Sequence, residues 1–205
     1  MRVFEILKSA DKDLLLFLNG MNNSFLDFVM YWASDRFIWI PFYLLMLFFI
    51  IRRFGKKTYL ILVLVAGMIT VSDQVSSSLV KNSVQRIRPC HDPEIKASVH
   101  LVNGICGGRY GYFSSHASNS WALAIFLILL FRKSSSVNAG TDAKDQKVTV
   151  IVTVLMISYA LLVSYSRIYL GIHYPFDVVS GMTFGFILSL IFAHSFFYLI
   201  RRNKN

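Results

Sequence analysis

Two histidines, one aspartate and three cations stand at spacings that suit phosphoryl chemistry. His173 and Asp177 are four residues apart, so on a helical turn the carboxylate can meet the imidazole. An Asp partner fixes the ring tautomer and makes the free nitrogen a better nucleophile. Tyr174 and Pro175 interrupt regular helix, which leaves a contact made across a turn equally open. His116 follows Ser114 and Ser115 at the head of an apolar stretch. A helix starting there offers unpaired backbone N–H groups, a natural phosphate site. Lys81 and Arg88 are seven residues apart. That is close to two helical turns, and they share a face if the stretch is helical. Pro89 then ends the element. Arg167 lies just past a later apolar stretch, at the same membrane depth in the topology set out below. Three cations at one depth beside apolar helix ends need an anion, and arginine holds phosphate through two parallel hydrogen bonds. Each cation taken singly is also explained by snorkelling to lipid headgroups.

The elements that must position these residues are apolar helices. Of the 205 residues, 55% are hydrophobic and 16% charged, against about 25% charged in soluble domains. Runs such as Tyr43 to Ile51, Tyr59 to Thr70 and Thr183 to Ala193 hold no charge. Six spans are expected, near residues 13–32, 36–51, 58–80, 116–131, 148–166 and 177–199. The expected fold is an all-α polytopic membrane bundle of about six transmembrane helices, forming a single domain over residues 1–205. The run Leu14 to Leu18 is short, is broken by Asn19 and Gly20, and has no small-residue cleavage site after it, so the first span is expected to be kept.

The connections alternate in charge. Arg2, Lys8, Lys12, Arg52, Arg53, Lys56, Lys57, Arg132, Lys133, Lys144, Lys147, Arg201, Arg202 and Lys204 fall on one side. Arg36, Lys81, Arg86, Arg88, Lys96, Arg109 and Arg167 fall on the other. The richer side is expected to be cytoplasmic, with both termini there and the chemistry at the outer interface. The net charge of +10 belongs to this asymmetry, and no nucleic-acid partner is expected; no obligate protein partner is evident either. The stretch from Lys81 to Ser115 carries Pro89, Pro93, Gly104, Gly107, Gly108 and Gly111 and reads as an outer loop. Ser134 to Lys147 reads as a polar, mobile inner connection. Cys90 and Cys106 both fall in the outer loop, where a disulfide and two buried thiols are both open readings. Asp73, inside the third span, is expected to pair with a polar neighbour such as Ser72 or Gln74. His91 and His100 read as loop residues, and His194 as a membrane-core or interface residue.

Lys81-Asn-Ser-Val-Gln-Arg-Ile-Arg88-Pro89 resembles the first motif of the type 2 phosphatidic acid phosphatases, a Lys, six residues, then Arg-Pro. Ser166-Arg167, five residues, His173, three residues, Asp177 resembles their third motif without a gap. The family is membrane-bound and acts on lipid phosphates, with a site shared by the vanadium haloperoxidases. The resemblance covers about residues 10–200. The second motif departs: the family reads Pro-Ser-Gly-His, and this chain reads Phe113-Ser114-Ser115-His116. Glycine there lets backbone N–H groups approach phosphate closely. If Ser115 strains that turn, Ser115→Gly raises activity.

The resemblance implies a mechanism. His173 attacks phosphorus and forms a phosphohistidine, Asp177 orients it, and His116 protonates the leaving oxygen. Lys81, Arg88, Arg167 and the Ser114 hydroxyl hold the phosphoryl oxygens. No metal and no other cofactor is expected, since the cations offset the charge that a metal would otherwise bind. Two histidines and an aspartate can also be read as a zinc site, but the surrounding Lys and Arg repel a cation. The implied enzyme is a lipid phosphatase of the cytoplasmic (inner) membrane, its site facing the periplasm or exterior. Its implied substrates are undecaprenyl pyrophosphate, lipid A, phosphatidylglycerol phosphate or phosphatidic acid. The rival readings are a lipid phosphotransferase on the same site and a non-catalytic lipid-binding or transport protein.

Overall fold

Apolar periodicity builds the bundle, and a few polar or glycine positions end its helices. In the computed structural model, residues 2–137 and 143–202 are described. Residues 138–142, the middle of the connection expected to be mobile, lie outside them. All described regular structure is helical apart from one isolated antiparallel bridge, Ile87 to Tyr110.

The order is α1 (Arg2–Gly20), α2 (Ser24–Ser34), α3 (Ile40–Phe54), α4 (Thr58–Gln74), α5 (Lys81–Val84), α6 (Ser115–Val137), α7 (Ala143–Tyr169) and α8 (Pro175–Arg202). Three stretches are long and apolar enough to cross a bilayer: Ile40–Val84, Ala143–Tyr169 and Pro175–Arg202. The first of these is a hairpin. Gly55, at φ 51, ends α3 in a conformation that suits glycine, and α4 starts three residues later.

α6 lies at the centre. Ala117, Ala122, Ala124, Phe126 and Leu130 on it are fully buried. α8 packs against it closely, because a Cβ at Gly181 or Gly185 would strike the α6 backbone at Ser114 or Ser118. Small residues at such a contact let membrane helices approach. Polar pairs add to this: Ser72 and Ser118 share a buried hydrogen bond of 2.7 Å, and the Trp121 indole donates to Ser164 at 3.0 Å. The opposite surface is apolar, with Leu44, Phe48, Val63, Val154 and Ile191 exposed.

The expected first span, 13–32, is two helices. Asn19 breaks it for a reason that its neighbours in sequence do not reveal. It is fully buried, donates to the carbonyls of Tyr169 at 2.6 Å and His100 at 2.9 Å, and accepts from the His100 N–H at 2.7 Å. Asn23 then caps α2 by accepting from the Leu26 N–H. α1 therefore lies across the end of the bundle where α7 finishes and α8 begins. Its Lys12 pairs with Asp92 at 2.8 Å and Glu94 at 2.5 Å, in the Lys81–Ser115 loop. Lys12 thus sits at the site end, not with the basic residues at the far end, and α1 and the end of α8 occupy opposite ends of the bundle. His100, read as a loop residue, meets Asp27 at 2.8 Å. Cys90 and Cys106 form a disulfide, with Cα atoms 5.8 Å apart, and staple the same loop.

Candidate active site

α4 continues beyond Gln74 in wider π-type turns over Val75–Val80 and then as α5, which delivers Lys81. The helix stops at Val84, four residues before Arg88, because Gln85 turns left-handed at φ 50. Lys81 and Arg88 therefore do not share a helix face; a chain reversal brings Arg88 back over the bundle. The returning strand is held by Arg88 N–H to the Arg109 carbonyl at 3.0 Å and Gly111 N–H to the Arg86 carbonyl at 2.9 Å. A Cβ on Gly111 would stand 2.9 Å from the Arg88 side chain, so this close approach needs glycine.

Arg88 is 9% exposed, and its Nη1 donates to the Ile172 carbonyl at 2.9 Å and stands 2.9 Å from His173 Nε2. Arg167, in the last turn of α7, donates to the Ser34 hydroxyl. The Nε of each arginine is buried with no protein partner. Such donors seek an acceptor, and phosphate oxygens are the acceptors arginine fits best.

Gly171, at φ 67, ends α7, and a Cβ there would strike Val99 and the His100 carbonyl. The chain that follows docks on α7, with the His173 N–H donating to the Arg167 carbonyl at 3.2 Å. His173 is 2% exposed. Burial, together with Arg88, Arg167 and Lys81, holds its imidazole well below the ordinary histidine pKa. The ring is neutral, and Nε2 keeps its lone pair.

Asp177 is fully buried in the first turn of α8. Its Oδ2 lies 3.7 Å from His173 Nδ1, beyond hydrogen-bond length. Oδ2 instead accepts from the Tyr174 N–H at 3.1 Å, and Oδ1 accepts from Arg86 at 2.7 Å. Catalytic hydrogen bonds are often long without substrate and tighten around it.

His116, the second residue of α6, is exposed to a groove of about 730 Å³ that runs between α3, α4, α6 and α7. A second cavity of about 250 Å³ is lined by Arg88, Arg167, Gly107 and Ile172, and Ser34 and Asp35 line both. Asp73 faces the groove and accepts from the Asn119 amide at 2.8 Å, in place of the expected Ser72 or Gln74.

The second motif places its two serines differently. Ser114 is fully buried; its N–H donates to the Asp177 carbonyl at 3.0 Å, and its hydroxyl accepts from the Ala117 N–H at 3.4 Å. That oxygen caps α6. The hydroxyl that reaches a cation is Ser115: it accepts from Lys81 Nζ at 3.0 Å and shares a 2.7 Å bond with Ser76. Ser115 is the first helical residue of α6 and has no positive φ, so glycine relieves no strain there. Ser115→Gly is accordingly expected to lower kcat/KM, by about tenfold, the scale of one hydrogen bond to a charged group. Steady-state phosphate release checks this, and a rise would restore the strained-turn expectation.

Two residues beside the site have no expected role in the sequence, Arg86 and Asp11. Arg86 sits inside the first motif, two residues before Arg88, and that was the only local signal. Cys90, His91 and Cys106 cluster at metal-ligand distance, but the disulfide occupies both sulfurs.

The PAP2 superfamily model matches residues 56–201. A lipid A 4'-phosphatase of Bacteroides thetaiotaomicron is 38% identical over 186 residues, covering 89% of this chain and 75% of that protein. A lipid A 4'-phosphatase of Porphyromonas gingivalis is 32% identical, covering 90% of this chain and 72% of that one. The crystal structure of a PAP2-type phosphatidylglycerolphosphate phosphatase from Bacillus subtilis superposes with a TM-score of 0.66 at 18% identity, covering 91% of this chain and 84% of that one.

Proposed function

The chain belongs to the PAP2 superfamily, and from that premise we propose that it cleaves the 4'-phosphate monoester of a lipid A-type glycolipid at the outer face of the cytoplasmic membrane. It is a membrane lipid phosphatase. The lipid A assignment is supported by the two relatives that act on it, which match nearly the whole chain.

The observation that carries the reading is a convergence. Ser115, which holds Lys81, and His116 line a groove that runs past Leu44, Leu47, Leu62, Val65 and Ile69, and the adjoining cavity is lined by Arg167 and by Arg88, which contacts His173. Leu44 and Leu62 are also exposed on the outside of the bundle. Such a groove suits acyl chains that arrive sideways from the bilayer while the phosphate stays at the interface.

In this reading His173 Nε2 attacks phosphorus as the P–O bond to the sugar breaks. His116 gives its proton to the leaving oxygen. Water then attacks the phosphohistidine, His116 takes a proton from it, and inorganic phosphate leaves with the Nε2 lone pair restored. Arg88 must first trade its contact with Nε2 for a phosphate oxygen. Lys81, Arg88 and Arg167 stabilise the charge as it spreads over the phosphoryl oxygens.

Two features support an outward-facing site. Arg52, Arg53, Lys56, Lys57, Arg132, Lys133, Lys144, Lys147, Arg201 and Arg202 lie at or near the opposite ends of the helices, as the positive-inside rule asks of cytoplasmic loops. The Cys90–Cys106 disulfide lies at the site end, and disulfides persist outside the cytoplasm.

The test is phosphate release by the purified chain in detergent with EDTA present. The panel holds lipid A, undecaprenyl pyrophosphate, phosphatidylglycerol phosphate, phosphatidic acid and a water-soluble monoester. Release that is fastest from lipid A and indifferent to EDTA is expected. Faster release from another lipid overturns the substrate, and a new phospholipid in place of free phosphate overturns hydrolysis.

A further inference from the structure

Asp177 is fully buried, and its carboxylate would be costly there without a countercharge. The countercharge is Arg86, whose Nη1 lies 2.7 Å from Oδ1. Arg86 lines neither the groove nor the second cavity, and its two terminal nitrogens are taken by Asp177 and Asp11. Two features hold its guanidinium: the Tyr174 ring beneath it, 4.2 Å from Cζ to centroid, and Asp11 Oδ2 at 2.5 Å from Nη2. Asp11 is 2% exposed and comes from α1, more than seventy residues away in sequence. Its other oxygen accepts from the Phe176 N–H at 2.9 Å, in the turn that carries Asp177. The next residue, Lys12, pairs with Asp92, which accepts from the Tyr174 hydroxyl at 2.7 Å. Adjacent residues of α1 therefore grip the segment 174–177 from two sides.

We propose that Asp11 is a positioning residue for the His173–Asp177 pair and acts through Arg86. By holding Nη2, Asp11 keeps Arg86 on Oδ1 alone, and that leaves Oδ2 facing His173 Nδ1. Without Asp11 the guanidinium is free to turn and take both oxygens of Asp177, the fork geometry arginine favours. Oδ2 is then drawn from the histidine, and the imidazole loses the group that orients it. The phosphate-binding cations are untouched, so the loss falls on kcat and not on KM. This rests on the phosphatase reading above and is separable from it.

The experiment uses the full chain in detergent, on whichever panel lipid the unaltered protein hydrolyses fastest. Asp11→Asn lowers kcat about tenfold, the scale of one hydrogen bond to a charged group, with KM changed by less than about twofold. Arg86→Gln lowers kcat as well, and the double variant is no worse than Arg86→Gln alone. In selectively labelled protein the ¹⁵N signals of the His173 ring move on Asp11→Asn. Asp11→Glu, which keeps the charge and the acceptor oxygens, recovers part of the loss and serves if Asp11→Asn folds poorly. The proposal is overturned if kcat per folded molecule is unchanged while only the melting temperature falls. It is overturned equally if the two losses multiply, or if the His173 signals stay in place. An unaltered protein that hydrolyses none of the lipids sinks the phosphatase reading instead, and the ¹⁵N signals still decide this proposal.

Discussion

His173→Ala is expected to abolish phosphate release, by a factor on the order of a million, the scale seen when a covalent nucleophile is removed. The expectation rests on position as much as on residue type. His173 is 2% exposed, neutral, and has Nε2 beside the Arg88 guanidinium that would hold the phosphate. Among the described residues no other imidazole contacts that guanidinium. His116 faces the same groove from α6, and in the proposed scheme it exchanges protons with the leaving oxygen and water instead of attacking phosphorus. Lipid binding should survive in the variant, since the groove and the three cations do not depend on the ring. A second arm separates the two histidines. With an aryl phosphate, whose leaving group needs no proton, and acid-free quenching, His116→Ala should hold a phosphohistidine, because only the water step then still calls on His116. His173→Ala should hold none. Parent-level turnover in His173→Ala would move the nucleophile elsewhere and leave the phosphohistidine scheme without a residue.

The residue types of the site were legible in the sequence because they lie in short, local patterns. His173 and Asp177 are near enough in the chain for one turn to bring them together, and Lys81 and Arg88 flank a single reversal. The helical character was legible for the same reason, since an uncharged run of eleven or twelve residues such as Tyr59 to Thr70 has few other fates. What could not be read was every contact made across long separations. Asn19 looks like a mere break in an apolar run, yet it is buried against Tyr169 and His100, 150 and 81 residues away. Asp11 carries no local signal in the sequence, yet it pins Arg86 and Phe176.

Spacing also misled where it suggested regular helix. Seven residues from Lys81 to Arg88 imply a shared face, but a left-handed Gln85 ends the helix early, and glutamine carries no advance signal for that conformation. The contacts of Ser115 are hidden from the sequence for a related reason. A family pattern tells which residue is missing, glycine, but not what its replacement has gained, a hydroxyl between Lys81 and Ser76.

Arg88→Lys should lower kcat/KM by roughly 10²–10³-fold, the range for removing one directed donor from a transition-state site. The charge is retained, so the loss measures geometry. Arg88 is buried to 9% exposure, uses Nη1 on Ile172 and His173, and has an Nε–H with no protein partner. A phosphate docked against it can take Nε–H and a terminal N–H together, as a planar guanidinium presents them side by side. An ammonium offers one point charge on a flexible stem, and it cannot serve the Ile172 carbonyl and two phosphoryl oxygens at fixed angles. Arg88→Leu should fall further still, because it also strips the charge from a site where the phosphoryl group is dianionic. Inhibition by inorganic phosphate gives a reading free of the chemical step. If the fork acts on the ground state, Arg88→Lys weakens phosphate inhibition as much as it lowers kcat/KM. If the fork acts mainly as charge spreads in the transition state, kcat falls while phosphate inhibition is nearly kept. A lysine variant that matches the parent on both counts would mean that charge alone suffices, and that the unpartnered Nε–H serves some purpose other than holding the phosphoryl group.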